Sequence, residues 1–208
     1  LERGFDTSFG YLNGESDHVD HTCDSSNLDF LYDLYDGTAG TMQYNQVQYQ
    51  GTYAAYLWNE RALEVVASHS TSAEPFFLYY ALQNVHTPLQ ADGYEAQGPC
   101  ASIQSDANYN GTRHIFCGMT ILADQSVQNI TTALPKEETI FVLAGDNGGI
   151  VHGGGNNFPL RGQKGQPWEG GIRNHALLWG QGISPGVYNH KVHITDIHAI
   201  FLNLAGSS

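Results

Sequence analysis

Thr139 to Arg173 reads TIFVLAGDNGGIVHGGGNNFPLRGQKGQPWEGGIR, and the organisation of the chain follows from it. Thr139–Leu143 is apolar and β-branched, the pattern of a buried strand. From Ala144 onward the stretch is dense in glycine and short of bulky apolar residues, so it is neither core strand nor helix. A strand running into Gly145-Asp146-Asn147-Gly148-Gly149 puts a carboxylate and an amide at the carboxyl end of a sheet. Open α/β folds keep their ligands there. Asp and Asn oxygens are hard donors suited to Ca²⁺, or to Mg²⁺. Arg161, Lys164 and Arg173 add three of the chain's eight Lys and Arg residues. Oxygen ligands beside fixed cations suit an anionic, oxygen-rich group such as a sulfate or phosphate ester. The competing reading is a glycine-rich surface turn, because Asp-Asn-Gly is common turn chemistry.

The chain has 208 residues, enough for one domain or a large part of one. With 41% apolar residues and twelve tyrosines it can fill a core. The net charge of −13 excludes nucleic acid and anionic membrane as partners of the general surface. An anionic substrate therefore needs a local basic patch. No apolar run approaches the roughly 20 residues of a membrane span, and the first residue is Leu1 rather than Met, which reads as a piece of something longer. Cys100 and Cys117 bracket a polar stretch, Ala101 to Phe116, that reads as a disulfide-closed loop. Two N-glycosylation sequons, at Asn110 and Asn129, stand in or near it. Together they favour a secretory route, lysosomal or extracellular. Cys23 is left odd.

Taken in order, Arg3 to Tyr11 reads as a packed loop. Gly14 to Asp24 gathers Glu15, Asp17, Asp20, His18 and His21 without a tetrahedral metal spacing, and reads as a solvated, substrate-facing loop. Leu28 to Tyr49 reads as loop with short strands. Gly51 to Ser70 is a helix with Ala54, Trp58, Ala62 and Val65 on one face. Phe76 to Leu82, FFLYYAL, is a continuous apolar run of the kind buried on both faces of a parallel sheet. His86 falls just past its end. Arg113 to Leu134 is a second helix, its stripe Phe116, Met119, Ala123, Val127, Ile130 and Leu134, stopped by Pro135. His175 to Trp179 reads as a strand. Thr195 to Ala205 reads as a final helix with Thr195 as N-cap, Ile197, Ile200, Phe201 and Leu204 facing inward, and Gly206 as its stop. Helix, strand and ligand loop in succession is the rhythm of an α/β sheet.

Three segments together resemble the sulfatase family of the alkaline phosphatase superfamily, most like arylsulfatase B-type enzymes. They are RGFDTSFGYLNG from Arg3, FFLYYALQNVHTPLQ from Phe76, and DNGG followed by GGNNFPLRGQKGQPWEGGIR from Asp146. The resemblance runs over essentially the whole chain. It implies an α/β domain with a mixed, mostly parallel central sheet flanked by helices. Residues 1–208 would be a partial catalytic domain, without its N-terminal nucleophile segment and C-terminal subdomain. By resemblance, Asp146 and Asn147 are two Ca²⁺ ligands, His86 contacts the sulfate and protonates the leaving alcohol, and Lys164 holds a sulfate oxygen. The glycines would let backbone pass close to metal and oxyanion. Arg161 and Arg173 acquire no catalytic role and default to pairing with site carboxylates. The family's nucleophile is a formylglycine made in a Cys/Ser-x-Pro-x-Arg motif, and no such motif occurs here. The expectation is a motif preceding Leu1, so that these residues alone do not turn over. Cys23 sits where the family can carry a disulfide cysteine, but Leu34, near its partner's place, is not Cys.

The implied activity is hydrolysis of a sulfated small molecule or sulfated glycan. Two other readings stand beside it: a phosphodiesterase or phosphonate hydrolase of the same superfamily, and a non-catalytic homologue that binds sulfated glycans. Asp146, Asn147, His86 and Lys164 all being present speaks against the last.

Overall fold

The computed structural model describes residues 4–25, 28–38, 40–44, 46–103 and 111–206. Arg3 and Asn110 lie outside them. The core forms around helix α1, Ala54–His69, whose sequence holds no Gly or Pro and is rich in good helix formers. Its buried side is Ala54, Ala55, Leu57, Trp58, Asn59, Ala62 and Val66. The expected face is present, with Val66 rather than Val65 at its end. Leu34, Ala54, Leu57 and Trp58 form one buried cluster, closed by Phe9, Tyr11, Tyr32, Tyr49 and Tyr80. Trp58 meets Phe9 edge-on at 5.2 Å and Tyr11 at 5.9 Å, and its indole N–H donates to Gln83 at 3.3 Å. Leu34, where a disulfide partner for Cys23 would fall, instead fills this core, and Cys23 is a buried free thiol.

Helix α2, Arg113–Ala133, packs on α1 through Tyr53, Ala55 and Leu122. Its buried line is Met119, Leu122, Ser126 and Ile130; Phe116, Ala123 and Val127 of the expected stripe are half-buried at its flank. A polar lock joins the helices. Asn59 donates to the Ser126 carbonyl at 3.3 Å and accepts from Asn129 Nδ2 at 2.8 Å. The amide nitrogen of the Asn129 sequon is thus engaged with α1. Cys100 and Cys117 are bonded, with a Cα–Cα distance of 5.6 Å, tying the short turn before the loop to the first turns of α2.

The sheet differs from expectation. Every ladder among the described residues is antiparallel, so no mostly parallel central sheet is present in them. Strand β1, Thr7–Gly10, pairs with β4, Tyr35–Thr38, which pairs with β5, Thr41–Tyr44. Strand β2, Thr22–Ser25, pairs with β3, Leu28–Tyr32. Strand β6, Ile140–Ala144, pairs with β7, Ala176–Gly180. The segment expected as a packed loop near the start therefore carries a strand, because Thr7 to Gly10 finds a register with Tyr35 to Thr38. Phe76 to Leu82 joins no ladder among the described residues, and Phe77 and Tyr79 are 58% and 73% exposed. An apolar run is buried on two faces only when neighbours cover both. Here Phe77 meets the Phe5 and Phe201 rings, at 6.2 and 5.5 Å, and stays largely exposed. Likewise β6 is half-buried at Ile140 to Val142 and exposed at Leu143 and Ala144.

Short helix α3 spans Glu169–Ile172. Helix α4, Ile194–Leu204, has its N-cap two residues earlier than its sequence suggested. His193 is the N-cap, with a capping box to Asp196, and Thr195 lies inside the helix. None of its residues is fully buried. Gly206 takes the left-handed conformation that stops it (φ +75°).

Replacing Trp58 with Ala should destabilise the fold by about 3–5 kcal/mol, the usual range for deleting a large buried ring. Urea denaturation would read this as a lower midpoint at unchanged slope, and an unshifted midpoint would remove Trp58 from the core.

Candidate active site

Ala144 and Ala176 face each other in the β6–β7 ladder, so residues 145–175 form one excursion from its end. Gly145 N–H closes the neck onto the His175 carbonyl at 3.1 Å. Inside, backbone packs on backbone. Gly148 N–H donates to Gly171 O at 3.0 Å and Gly170 N–H to Arg161 O at 2.7 Å. A Cβ on Gly148 would collide with the Gly170 carbonyl, and one on Gly170 with the Gly162 carbonyl. These glycines serve approach of the loop to itself, a different need from passage beside a metal or anion. Asn157 pins the fold of the loop. Its Oδ1 accepts from Gly149 N at 3.0 Å, and its Nδ2 donates to Gly149 O at 2.8 Å and Gly162 O at 3.1 Å. Asn174 adds a bond to the Asn147 carbonyl at 2.6 Å. Sequence reasoning passed over both residues, although an Asn-Asn pair among glycines is a sign of side chains recruited to satisfy loop backbone.

Asp146 is exposed and Asn147 half-buried at the strand end, as expected. Asp146 Oδ1 accepts from Asn147 N at 2.8 Å, and Asn147 Nδ2 donates to Gly148 O at 2.9 Å. The second Asp146 oxygen and Asn147 Oδ1 accept no hydrogen bond among the described residues. They are two adjacent hard oxygens of the type Ca²⁺ takes, out of the six to eight it requires. No group of three or more His, Cys, Asp or Glu able to hold a metal gathers among the described residues.

His86 follows the Phe76–Leu82 segment, and its N–H bonds Gln83 O at 2.9 Å. Its Nδ1 lies 3.0 Å from the Thr87 carbonyl and its Nε2 3.1 Å from Lys164 Nζ. A carbonyl only accepts and an ammonium only donates. These partners assign the proton to Nδ1 and leave the Nε2 lone pair facing Lys164. The structure thus joins two candidate residues 78 positions apart. Among the described residues Arg161 pairs with no site carboxylate. It stacks on Trp168, its guanidinium carbon 3.7 Å from the ring centroid. Arg173 pairs with Glu169 at 3.4 Å, both exposed, which contributes little.

The Gly14–Asp24 stretch is not a solvated loop. His18 and His21 are 0% and 2% exposed, among the most buried side chains of the molecule. Asp17 caps the turn by accepting from Val19 N and Asp20 N, both at 2.7 Å, and from Gln90 Nε2 at 2.7 Å. Gln90 also accepts from His18 N at 2.8 Å. His18 stacks on Tyr53 at 5.3 Å, and His21 Nε2 faces Tyr49 O at 3.2 Å. A local charge count hid this, because backbone and amide partners from residues 49–90 satisfy most of the polar atoms and let the turn sink inward. Burial lowers the pKa of both histidines. Burial works to raise Asp17, but the N–H bonds from Asp20 and Val19 and the Gln90 amide outweigh it, and its pKa is lowered.

A family model described as Sulfatase matches residues 2–207. Arylsulfatase J of Mus musculus is 36% identical over 214 residues, covering 98% of this chain and 33% of that protein. Arylsulfatase A of Homo sapiens is 32% identical over 154 residues, covering 70% of this chain and 28% of that one. Among solved structures, that of Ps i-CgsB in complex with k-i-k-neocarrahexaose superposes with a TM-score of 0.80 at 27% identity. It is matched over 100% of this chain and 47% of its own. The chain spans about a third of the length of the curated relatives it matches.

The buried histidines set an acid limit. Above the ordinary imidazole value of 6.5 both states are neutral at these rings, and their contribution is complete. Below 6.5 the unfolded chain takes up protons that the folded rings refuse, so stability falls as pH falls. Asp17 adds a further loss only below its ordinary 3.8. Thermal midpoints taken at high salt, which screens the general negative charge, should decline from pH 7 to pH 5. A midpoint that holds or rises over that range would contradict the buried, neutral pair.

Proposed function

Since the chain belongs to the sulfatase family, we propose that the polypeptide carrying it hydrolyses a sulfate ester, with Lys164 and His86 acting directly on the ester. The observation that carries this is the 3.1 Å approach of Lys164 Nζ to His86 Nε2. An ammonium and an imidazole nitrogen so placed can take hold of neighbouring oxygens of one tetrahedral sulfuryl group. Lys164 holds a non-bridging oxygen, where its charge offsets the charge that develops as the S–O bond lengthens. His86 Nε2, once protonated from solvent, delivers that proton to the bridging oxygen, so the leaving group departs as a neutral alcohol. Overall, R–O–SO₃⁻ and water give ROH, sulfate and a proton. The Thr87 carbonyl at Nδ1 keeps the ring oriented for this transfer.

Asp146 and Asn147 would hold Ca²⁺, or Mg²⁺, as two of its oxygen ligands, and a formylglycine from a Cys/Ser-x-Pro-x-Arg segment of the longer polypeptide would supply the nucleophile. The cation would add positive charge at the sulfate and the attacking oxygen. On this reading residues 1–208 are part of a catalytic domain and do not turn over alone. The substrate is a sulfated small molecule or sulfated glycan. The solved relative in complex with k-i-k-neocarrahexaose supports an extended saccharide as one such substrate. The Cys100–Cys117 bond supports an oxidising compartment, lysosomal or extracellular. No helix among the described residues is long and apolar enough to cross a membrane.

Lys164→Ala in the full polypeptide should lower kcat for an aryl sulfate by about 10²–10³, the range for removing one oxyanion donor, with the melting curve unchanged. Wild-type turnover in that variant would overturn the assignment. Added Ca²⁺ should raise the melting temperature of the wild type, and Asp146→Ala should abolish the rise. A melting curve indifferent to Ca²⁺ in the wild type would count against the metal ligands.

A further inference from the structure

The candidate residue His86 sits on an exposed turn, yet the turn is held from behind by a ring that no solvent reaches. His18 is 0% exposed, and its Nε2 lies 3.2 Å from the His86 carbonyl oxygen. We propose that His18 is a positioning residue for His86, donating its Nε2–H to the His86 main chain and so fixing where the His86 ring meets Lys164 and the substrate. This inference rests on the sulfatase reading of His86.

The tautomer follows from the partner. A carbonyl only accepts, so Nε2 must carry the proton. The other nitrogen, Nδ1, is then a bare acceptor, and it is buried without a hydrogen-bond partner. A buried polar atom left unsatisfied costs stability. A phenyl ring would fill the same place against Tyr53 without that cost. Packing alone therefore does not account for a histidine here, whereas the single donor aimed at His86 does. Protonation would add a second buried donor with no acceptor, so the ring remains neutral and its one donor stays committed to the His86 carbonyl.

His18 is itself immobilised. Its N–H donates to Gln90 Oε1 at 2.8 Å, Gln90 Nε2 bonds Asp17 Oδ2 at 2.7 Å, and Ala54 N–H at the start of α1 bonds the His18 carbonyl at 2.6 Å. Two further bonds cross the same seam beside the turn: Gln83 Nε2 to Ser16 O at 2.7 Å, and Thr87 Oγ1 to Glu15 Oε1 at 3.0 Å. The first helix thus reaches His86 through one chain of directed bonds. A rigid second layer of this kind keeps a reacting group in productive geometry.

The test uses the full polypeptide and two variants. His18→Phe keeps a ring beside Tyr53 and removes the donor; His18→Gln keeps an N–H donor near the Nε2 position and removes the ring. For an aryl sulfate, His18→Phe should lower kcat at least tenfold with KM within about twofold, and His18→Gln should recover most of that loss. Wild-type kcat in His18→Phe, or equal loss in both variants, would overturn the proposal, the latter because it would assign the effect to ring packing. The carbonyl carbon NMR shift of His86 gives a readout independent of turnover. It should move in His18→Phe and hold in His18→Gln, and an unmoved shift in His18→Phe would also overturn the proposal. If the wild type cleaves no sulfate ester, the sulfatase reading fails by itself, and the carbonyl shift still decides whether His18 holds His86.

Discussion

Backbone packed on backbone is the constraint on which the candidate site depends. Between the ends of β6 and β7, Gly148 and Gly170 approach neighbouring carbonyls so closely that no side chain fits. Loop amides brought that close must find partners within the loop, and they do, in Gly171, Arg161 and the three bonds of Asn157. The result is a fixed platform in which the short helical turns, α3 among them, are joined by irregular backbone. It presents Asp146 and Asn147 at one place and Lys164 at another, with little left to reorganise when a ligand arrives.

Charge is distributed in the same economical way. The chain carries −13 overall, and two of the three cations in the loop are occupied: Arg161 lies on Trp168 and Arg173 pairs with Glu169. Lys164 instead points its ammonium at a neutral imidazole nitrogen. A cation whose partner is uncharged keeps its attraction for an incoming anion, which a cation already in an ion pair does not.

The other half of the site is carried by α1 and the turn before it. Tyr53 joins the two layers. Its ring stacks on His18, its hydroxyl donates to the Gln90 carbonyl at 2.6 Å, and burial pushes its pKa up to about 12. Histidine, amide and phenol here form a buried polar network in which nearly every atom is satisfied. Such networks hold one arrangement more strictly than apolar packing does. The exposed edge of the site therefore rests on an interior whose histidine and phenol groups burial holds in their neutral forms.

Much of this was legible in the sequence, and the reasons are local. Helices α1 and α2 follow from apolar residues at helical spacing, and β6 from its β-branched run. The Asp-Asn pair stands at the strand end because that run stops at the first glycines. The Cys100–Cys117 bond was readable from two cysteines bracketing a polar loop. What the sequence could not supply was pairing. Strand direction, the uncovered faces of Phe76–Leu82, and the burial of His18 and His21 all depend on what lies opposite, and a residue's own neighbours in the chain do not record that. The same holds for the site. The types of side chain were given by the chain itself, since Asp, Asn, His and Lys have fixed donor and acceptor chemistry. That His86 meets Lys164, and that His18 stands behind it, was decided only by the tertiary structure, because those contacts join residues 68 to 78 positions apart through glycine packing and buried hydrogen bonds that no local pattern encodes.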